Sequence, residues 1–161
     1  MQDDHKKKLK LKVSAIKEGT VIDHIPAKNL FKVITILGLD TIENQITFGT
    51  NLESEKLGAK AIIKVSDKFF EDDEINKIAL IAPHAKLNII RDYEVVEKKV
   101  VEIPESISGI VKCFNPKCIT NHEEITTWFK VVSNDPISLK YRYCEKITTA
   151  SQIRMQYLLI Q

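Results

Sequence analysis

Residues 20–37, TVIDHIPAKNLFKVITIL, carry two different patterns on either side of Pro26. Up to the proline the chain reads as extended. Beyond it, Leu30, Val33, Ile34 and Leu37 fall at i, i+3, i+4 and i+7, which puts them on one face of a helix. Gly38 follows directly, placed to close that helix in a left-handed conformation. Extended chain that turns at a proline into an amphipathic helix is half of a fold in which helices cover one face of a sheet.

Working outward, the flanks repeat the pattern. Upstream, Leu9, Leu11, Val13 and Ala15 alternate with Lys10, Lys12 and Ser14, a half-buried strand that ends at the Glu18-Gly19 turn signal. Downstream, Ile46, Phe48, Thr50 and Leu52 alternate with Gln45, Thr47 and Gly49 as a second strand. NLESEKLGAK, residues 51–60, reads as a polar loop, and residues 61–65 as a third strand. In EDDEINKIALIAP the spacing of Ile75, Ile78, Ala79 and Ala82 predicts a second helix over 71–82, with acidic residues in its first turn and Pro83 as its stop. KLNIIRDYEVVEKKVVEI then reads as one long strand. The order β-α-β-β-α-β over residues 9–100 is that of an α+β, ferredoxin-like domain: two helices on one face of a four-stranded antiparallel sheet.

Pro104 marks a boundary. The expected divisions are a solvated tail over 1–8, a first domain over 9–102 and a small β-rich domain over 103–161. The last holds the only Trp and all three Cys. A region so short has little core of its own and calls for a staple. The apolar run Tyr157–Ile160 is expected to cover the small domain or a partner.

Composition sets limits. The chain has 161 residues, 43% hydrophobic and 29% charged, with a net charge of +2. That is globular composition, not disorder, and so even a balance gives no support to coating nucleic acid or an anionic membrane. No apolar run approaches the ~20 residues of a membrane helix, and the polar start is not a secretory signal. A cytoplasmic location is the expectation. Neither G-x-x-x-x-G-K-[ST] nor G-x-G-x-x-G nor G-x-S-x-G nor H-E-x-x-H occurs. Binding without chemistry is the more economical inference.

Two constellations stand out. Cys113 and Cys118 enclose FNPK, a knuckle that brings two thiolates to one tetrahedral ion, and Cys144 lies 26 residues beyond Cys118. The second knuckle has Tyr141 where a C-x-x-C pair needs Cys. His122 is a candidate fourth ligand; Tyr141 is a poor one, because a phenol binds well only when deprotonated. Zinc with an incomplete ligand set and three free buried thiols both remain open. In the first domain, Lys60 and Lys64 flank Ile62 on one face of a strand, and Lys98 is placed to join them. With Asp23 and His24 they suit a nucleoside triphosphate, or else are scattered surface charge. As strand neighbours Asp23 and His24 are expected to point to opposite faces, which makes a catalytic pair a weak reading.

KEGTVIDHIPA, NLESEKLGAKAIIKV, APHAKLNIIRDYEVVEKK, the C-x4-C knuckle with NPKCI, and LKYRYCEK occur in this order over residues 9–147. Together they closely resemble the regulatory chains of aspartate carbamoyltransferase. The resemblance implies a ferredoxin-like allosteric domain followed by a zinc domain in a non-catalytic subunit. It implies control of the committed step of pyrimidine synthesis by CTP, UTP and ATP, self-dimers, and contact of the zinc domain with the catalytic chain. It implies a nucleotide site at Ala15, Ile16, Val21, Asp23, His24, Lys60, Lys64, Asn88, Ile90, Tyr93, Val95 and Lys98. There, Lys98 and His24 would hold phosphates, Lys64 and Asp23 the ribose, and backbone at Ile16 and Tyr93 the base. It implies metal ligation by Cys113, Cys118 and Cys144, with Tyr141 at the fourth family position. A stand-alone nucleotide sensor with a zinc module is the alternative. A zinc-ribbon nucleic-acid protein is disfavoured by Glu123, Glu124, Asp135 and Glu145, and an independent enzyme by the missing nucleophile and phosphate loop.

Overall fold

The computed structural model describes residues 15–155. The expected first strand lies mostly outside the described residues, as do the tail over 1–8 and the apolar run Tyr157–Ile160. The chain divides after Glu102 into two compact units.

The first unit is a five-stranded antiparallel sheet with two short helices. Its elements are β1 (Gly19–Pro26), α1 (Leu30–Ile36), β2 (Ile46–Ser54), β3 (Gly58–Ser66), α2 (Asp72–Asn76), β4 (Lys86–Arg91) and β5 (Glu94–Val100). The strand order is β2-β3-β1-β4-β5, so β1 is central, paired to β3 on one side and β4 on the other. This is the α+β arrangement the periodicities predict, with one more strand at the edge.

The second helix buries the stripe the spacing assigns to it, and the first buries half of its stripe, with Ile34 and Leu37 left half-buried. Leu30 and Val33 of α1 are wholly buried, and so are Ile75, Ile78, Ala79 and Ala82 around α2. The turn ending α1 follows from Gly38: at φ +66° it lets Leu39 N–H reach the Ile34 carbonyl (2.9 Å) and its own N–H reach Thr35 (3.1 Å). The second helix is shorter than 71–82. After Asn76 the bonds tighten to i−3, from Ile78 to Ile75 and from Ala79 to Asn76, so the apolar face continues on turns instead of α-helix.

Two stretches differ from the sequence reading. Residues 51–60 are not a loop: β2 runs to Ser54 and β3 begins at Gly58, so the polar stretch is the projecting end of a hairpin. Its polarity reflects strands exposed on both faces, not absence of pairing. Residues 86–103 are not one strand. Asp92 (φ +48°) and Tyr93 (φ +65°) form a two-residue turn that folds β5 back along β4. Two successive positive φ values match the right-handed twist of the flanking strands.

The second unit contains β6 (Ser106–Ser108), β7 (Val111–Lys112), β8 (Trp128–Asn134), β9 (Ile137–Tyr141), β10 (Ile147–Thr149) and β11 (Arg154–Met155). A four-stranded sheet has the order β10-β9-β8-β6, and β7 pairs with β11. Its core is small: Phe129, Leu139, Tyr141 and Val111 are fully buried. No helix among the described residues is long and apolar enough to cross a membrane.

Candidate functional site

The first unit presents a basic face built by register. On β3, Ala61, Ile63 and Val65 are fully buried, so the intervening Lys60, Ile62 and Lys64 take the other side of the sheet. Lys64 is the direct partner of Val21 on β1, Val21 of Asn88 on β4, and Asn88 of Lys98 on β5. Directly opposed residues share a face, so these four form one row across four strands. Thr47 of β2, the other partner of Lys64, extends it. Two positions along β1, Asp23 faces Lys86 in the same way. On the other side of the row, Gly19 is opposite Ile90, and Ile90 opposite Val95. The irregularity between Ile89 and Ile90 in the β4–β5 pairing keeps Val95 and Lys98 on one side despite their odd spacing.

Asp23 and His24 do not follow strand alternation. The register of β1 against β3 breaks between Ile22 and Ile25, and His24 sits in this bulge at φ +60°. Its backbone N–H donates to Asp23 Oδ1 at 2.6 Å, and its Nδ1 lies 3.6 Å from Asp23 Oδ2. Lys60 Nζ meets the same carboxylate at 3.0 Å. The expectation of opposite faces is therefore corrected: the bulge turns imidazole and carboxylate toward one place. Burial lowers the His24 pKa; Asp23 opposes this, and the ammonium groups of Lys60, Lys86 and Lys56 add to it. Burial also lowers that of Lys64.

Ala15 and Ile16 line a cavity of about 240 Å³ with Gln45, Thr47, Ser66 and Asp67, next to the Gly19 end of β1. Tyr93 occupies the β4–β5 turn, where its N–H donates to the Lys17 carbonyl (3.0 Å) and its ring is exposed. All twelve residues named from the sequence lie on this face or at its Gly19 end. Thr47 and Lys86 join this face through pairing across strands, and Gln45 through the lining of the cavity, which local sequence does not reveal.

The second unit holds a sulfur cluster. The ligand atoms of Cys113, Cys118 and Cys144 all lie within 4.8 Å of one another, and Cys113 Sγ and Cys144 Sγ are 3.7 Å apart. Two sulfurs on one tetrahedral ion with bonds near 2.3 Å stand about 3.8 Å apart, so the spacing fits a shared ion. The first knuckle is pinned by Asn121, whose Nδ2 donates to the carbonyls of Cys113 (3.0 Å) and Asn115 (2.8 Å). Burial pushes the Cys113 thiol up to about 12. Burial pushes Cys118 up as well, but the Thr120 hydroxyl, 3.2 Å from its sulfur, the Thr120 backbone and the Cys113 and Cys144 thiols together outweigh it, and the net direction is down.

His122 is not part of this cluster; its Nε2 lies 2.9 Å from the Pro116 carbonyl oxygen. Tyr141 is fully buried, with its ring 4.5 Å from Phe129 and 5.6 Å from Tyr143. Burial raises the pKa of its phenol; Thr120 eases the rise, while the Cys118 and Cys113 thiols add to it. Its hydroxyl oxygen has no partner at full hydrogen-bonding geometry among the described residues, with the Thr120 side chain the group that comes near it. Three soft donors therefore converge here, and a neutral aromatic side chain stands beside them.

An α+β unit with a cationic open sheet face, joined to a small β unit with clustered thiols, makes a two-module protein: one module suited to an anionic ligand and one suited to a soft metal ion. Residues 11–102 match the family model described as "Aspartate carbamoyltransferase regulatory chain, allosteric domain", and residues 105–154 match that chain's "metal binding domain". The chain belongs to the family of aspartate carbamoyltransferase regulatory chains. The regulatory chain of Bacteroides fragilis is 59% identical over 136 residues, 84% of this chain and 89% of that one. That of Porphyromonas gingivalis is 52% identical over 149 residues, covering 92% and 99%. That of Pyrococcus horikoshii is 55% identical over 145 residues, covering 89% and 95%. The chain is thus a regulatory subunit and not a catalytic one.

Proposed function

We propose that this subunit binds CTP, UTP and ATP on the open face of its first sheet and passes that occupancy to a catalytic aspartate carbamoyltransferase chain, controlling the first committed step of pyrimidine synthesis. The observation that carries the reading is the cross-strand row Lys64, Val21, Asn88, Lys98. It sets an amide and an apolar patch between two ammonium groups, with Asp23 and His24 two positions further along. Ammonium groups suit phosphates, Asp23 and Lys64 a ribose, and backbone at Ile16 and Tyr93 a base edge. The Ala15–Ile16 cavity offers the nucleoside end a recess. Effector binding changes the catalytic chain only through unequal affinity for two states of the assembly, a coupling of typically about 1–3 kcal/mol.

For the second unit the reading is zinc held by Cys113, Cys118 and Cys144, with Tyr141 in the place of a fourth thiolate. Bound there, zinc would supply structural closure of the two knuckles, and no chemistry. The unit would contact the catalytic chain, and regulatory chains would pair as dimers in a cytoplasmic complex.

Titration calorimetry of the full chain with CTP tests the site. Lys98→Ala is expected to weaken CTP binding and to remove the effector response of the reconstituted complex, leaving its basal turnover intact. Unchanged CTP affinity in that variant would sink the assignment.

A further inference from the structure

At the far end of β1 from the Ala15–Ile16 recess lies a second cavity, of about 270 Å³. His24, Lys56, Pro83, His84, Ala85, Lys86 and Val100 line it. Its ionisable lining is basic throughout: two imidazoles and two ammonium groups, with no carboxylate among them. Asp23 lies 3.6 Å from His24 Nδ1 and is shared with Lys60 at 3.0 Å. Different elements bring the four basic side chains together. His24 comes from the β1 bulge, Lys56 from the tip of the β2–β3 hairpin, and His84 and Lys86 from the chain entering β4. Lys56 and Lys86 act on His24 together with Lys60, so their fields converge there. Ammonium groups gathered in one recess are costly for the fold, because each raises the cost of its neighbours. A concave site whose four basic side chains have only the Asp23 carboxylate, shared with Lys60, against them is suited to a multiply charged anion.

We infer that this cavity is a terminal-phosphate subsite, in which Lys56, His84 and Lys86 read the length of a polyphosphate chain that crosses His24 from the sheet face. The inference rests on the nucleotide reading above and deepens it. The row through Lys64 and Lys98 lies between the two cavities, and β1 advances about 3.4 Å per residue, so Gly19 and Asp23 are about 14 Å apart. A ligand with its nucleoside at the Gly19 end therefore carries its phosphate tail toward Lys86. The subsite makes the number of phosphates, rather than the base, the main determinant of affinity at this end. A monophosphate reaches the row but not the recess.

The test uses the full chain with cytidine triphosphate, cytidine monophosphate and inorganic tripolyphosphate in titration calorimetry. For Lys86→Gln, triphosphate affinity is expected to fall by about tenfold, the scale of one charge-assisted contact. Monophosphate affinity should stay within about twofold. Lys32→Gln on α1 removes the same charge outside the cavity and should leave both nearly unchanged. Tripolyphosphate should compete with the triphosphate, and its own affinity should fall in Lys86→Gln as the triphosphate's does. Equal losses for both nucleotides in Lys86→Gln, or none, would overturn the subsite while leaving the sheet-face site standing, as would a wild-type chain that binds both nucleotides equally. A wild-type chain that binds neither overturns the sheet-face reading itself.

Discussion

Removing one oxygen from Tyr141 is expected to make the metal-free chain more stable. Tyr141 is fully buried, and its hydroxyl has no partner at full hydrogen-bonding geometry among the described residues. Leaving a buried polar group unpaired costs about 1–3 kcal/mol. Tyr141→Phe removes that cost and keeps the ring, with its 4.5 Å contact to Phe129 and 5.6 Å contact to Tyr143. The void left by a hydroxyl is small and offsets little of the gain. For a unit of this size, ~1 kcal/mol moves the melting temperature by roughly 4–8 °C. The only tryptophan of the chain, Trp128, lies in β8 of the second unit, so its fluorescence reports this melting without interference from the first sheet. Chelator-treated wild type and Tyr141→Phe would be melted side by side, followed by that signal. A rise of about 4 °C or more is expected. A fall of similar size would refute the reasoning, because it would mean that the phenol donates or accepts a bond that matters, with Thr120 the first suspect.

Tyr141→Cys should do the opposite in the metal-free state, losing about 3–5 kcal/mol of ring packing, and should raise zinc affinity and assembly with the catalytic chain by restoring a fourth thiolate; competition against a chromophoric chelator measures the affinity. A full equivalent of tightly held zinc in the unaltered chain would instead mean that three thiolates and some other donor suffice. His24 has a folded pKa below its ordinary 6.5, with burial the main cause and Lys60, Lys86 and Lys56 contributing against Asp23. An unfolded chain then binds more protons than the folded one as pH falls through 6.5, so His24 subtracts stability there, down to its folded pKa. A bound polyphosphate favours the imidazolium, so nucleotide binding should take up protons in that window and tighten as the pH falls. Calorimetry in two buffers of different ionisation enthalpy reads the uptake, and its absence would remove His24 from the phosphate end. The loss of CTP binding expected for Lys98→Ala belongs to the same set, since that variant tests the row while Lys86→Gln tests the recess.

Local sequence carried the elements whose cause is local. The switch from extended chain to a 3.6-residue period at Pro26 located β1 and α1, and Gly38 ends the helix as its backbone freedom suggests. Alternation along β3 separated buried Ala61, Ile63 and Val65 from the lysines between them. The spacing of the three cysteines brought them under suspicion as a set, and they do converge. The failures share a cause as well. Residues 51–60 look like a loop because both faces of that hairpin end are wet. Residues 86–103 look like one strand because Asp92 and Tyr93 lack the Gly or Asn that flags a two-residue turn.

What the amino-acid order determined by itself is therefore which residues are apolar on which face, where helices start and where the first one stops, and which chemistry is on hand: lysines on a strand, thiols in a knuckle, a tyrosine where a thiol is wanted. Only the tertiary structure decided which of these meet. Lys64 and Lys98 are 34 positions apart and share a row because β1 and β4 lie between their strands. His24 turns toward Asp23 because β1 bulges against β3. His122 misses the cysteines because its ring goes to the Pro116 carbonyl. The physical reason is the same in each case: periodicity is a property of a few consecutive dihedrals, whereas register is set by the packing of whole strands, and a shift of one residue sends every side chain to the opposite face.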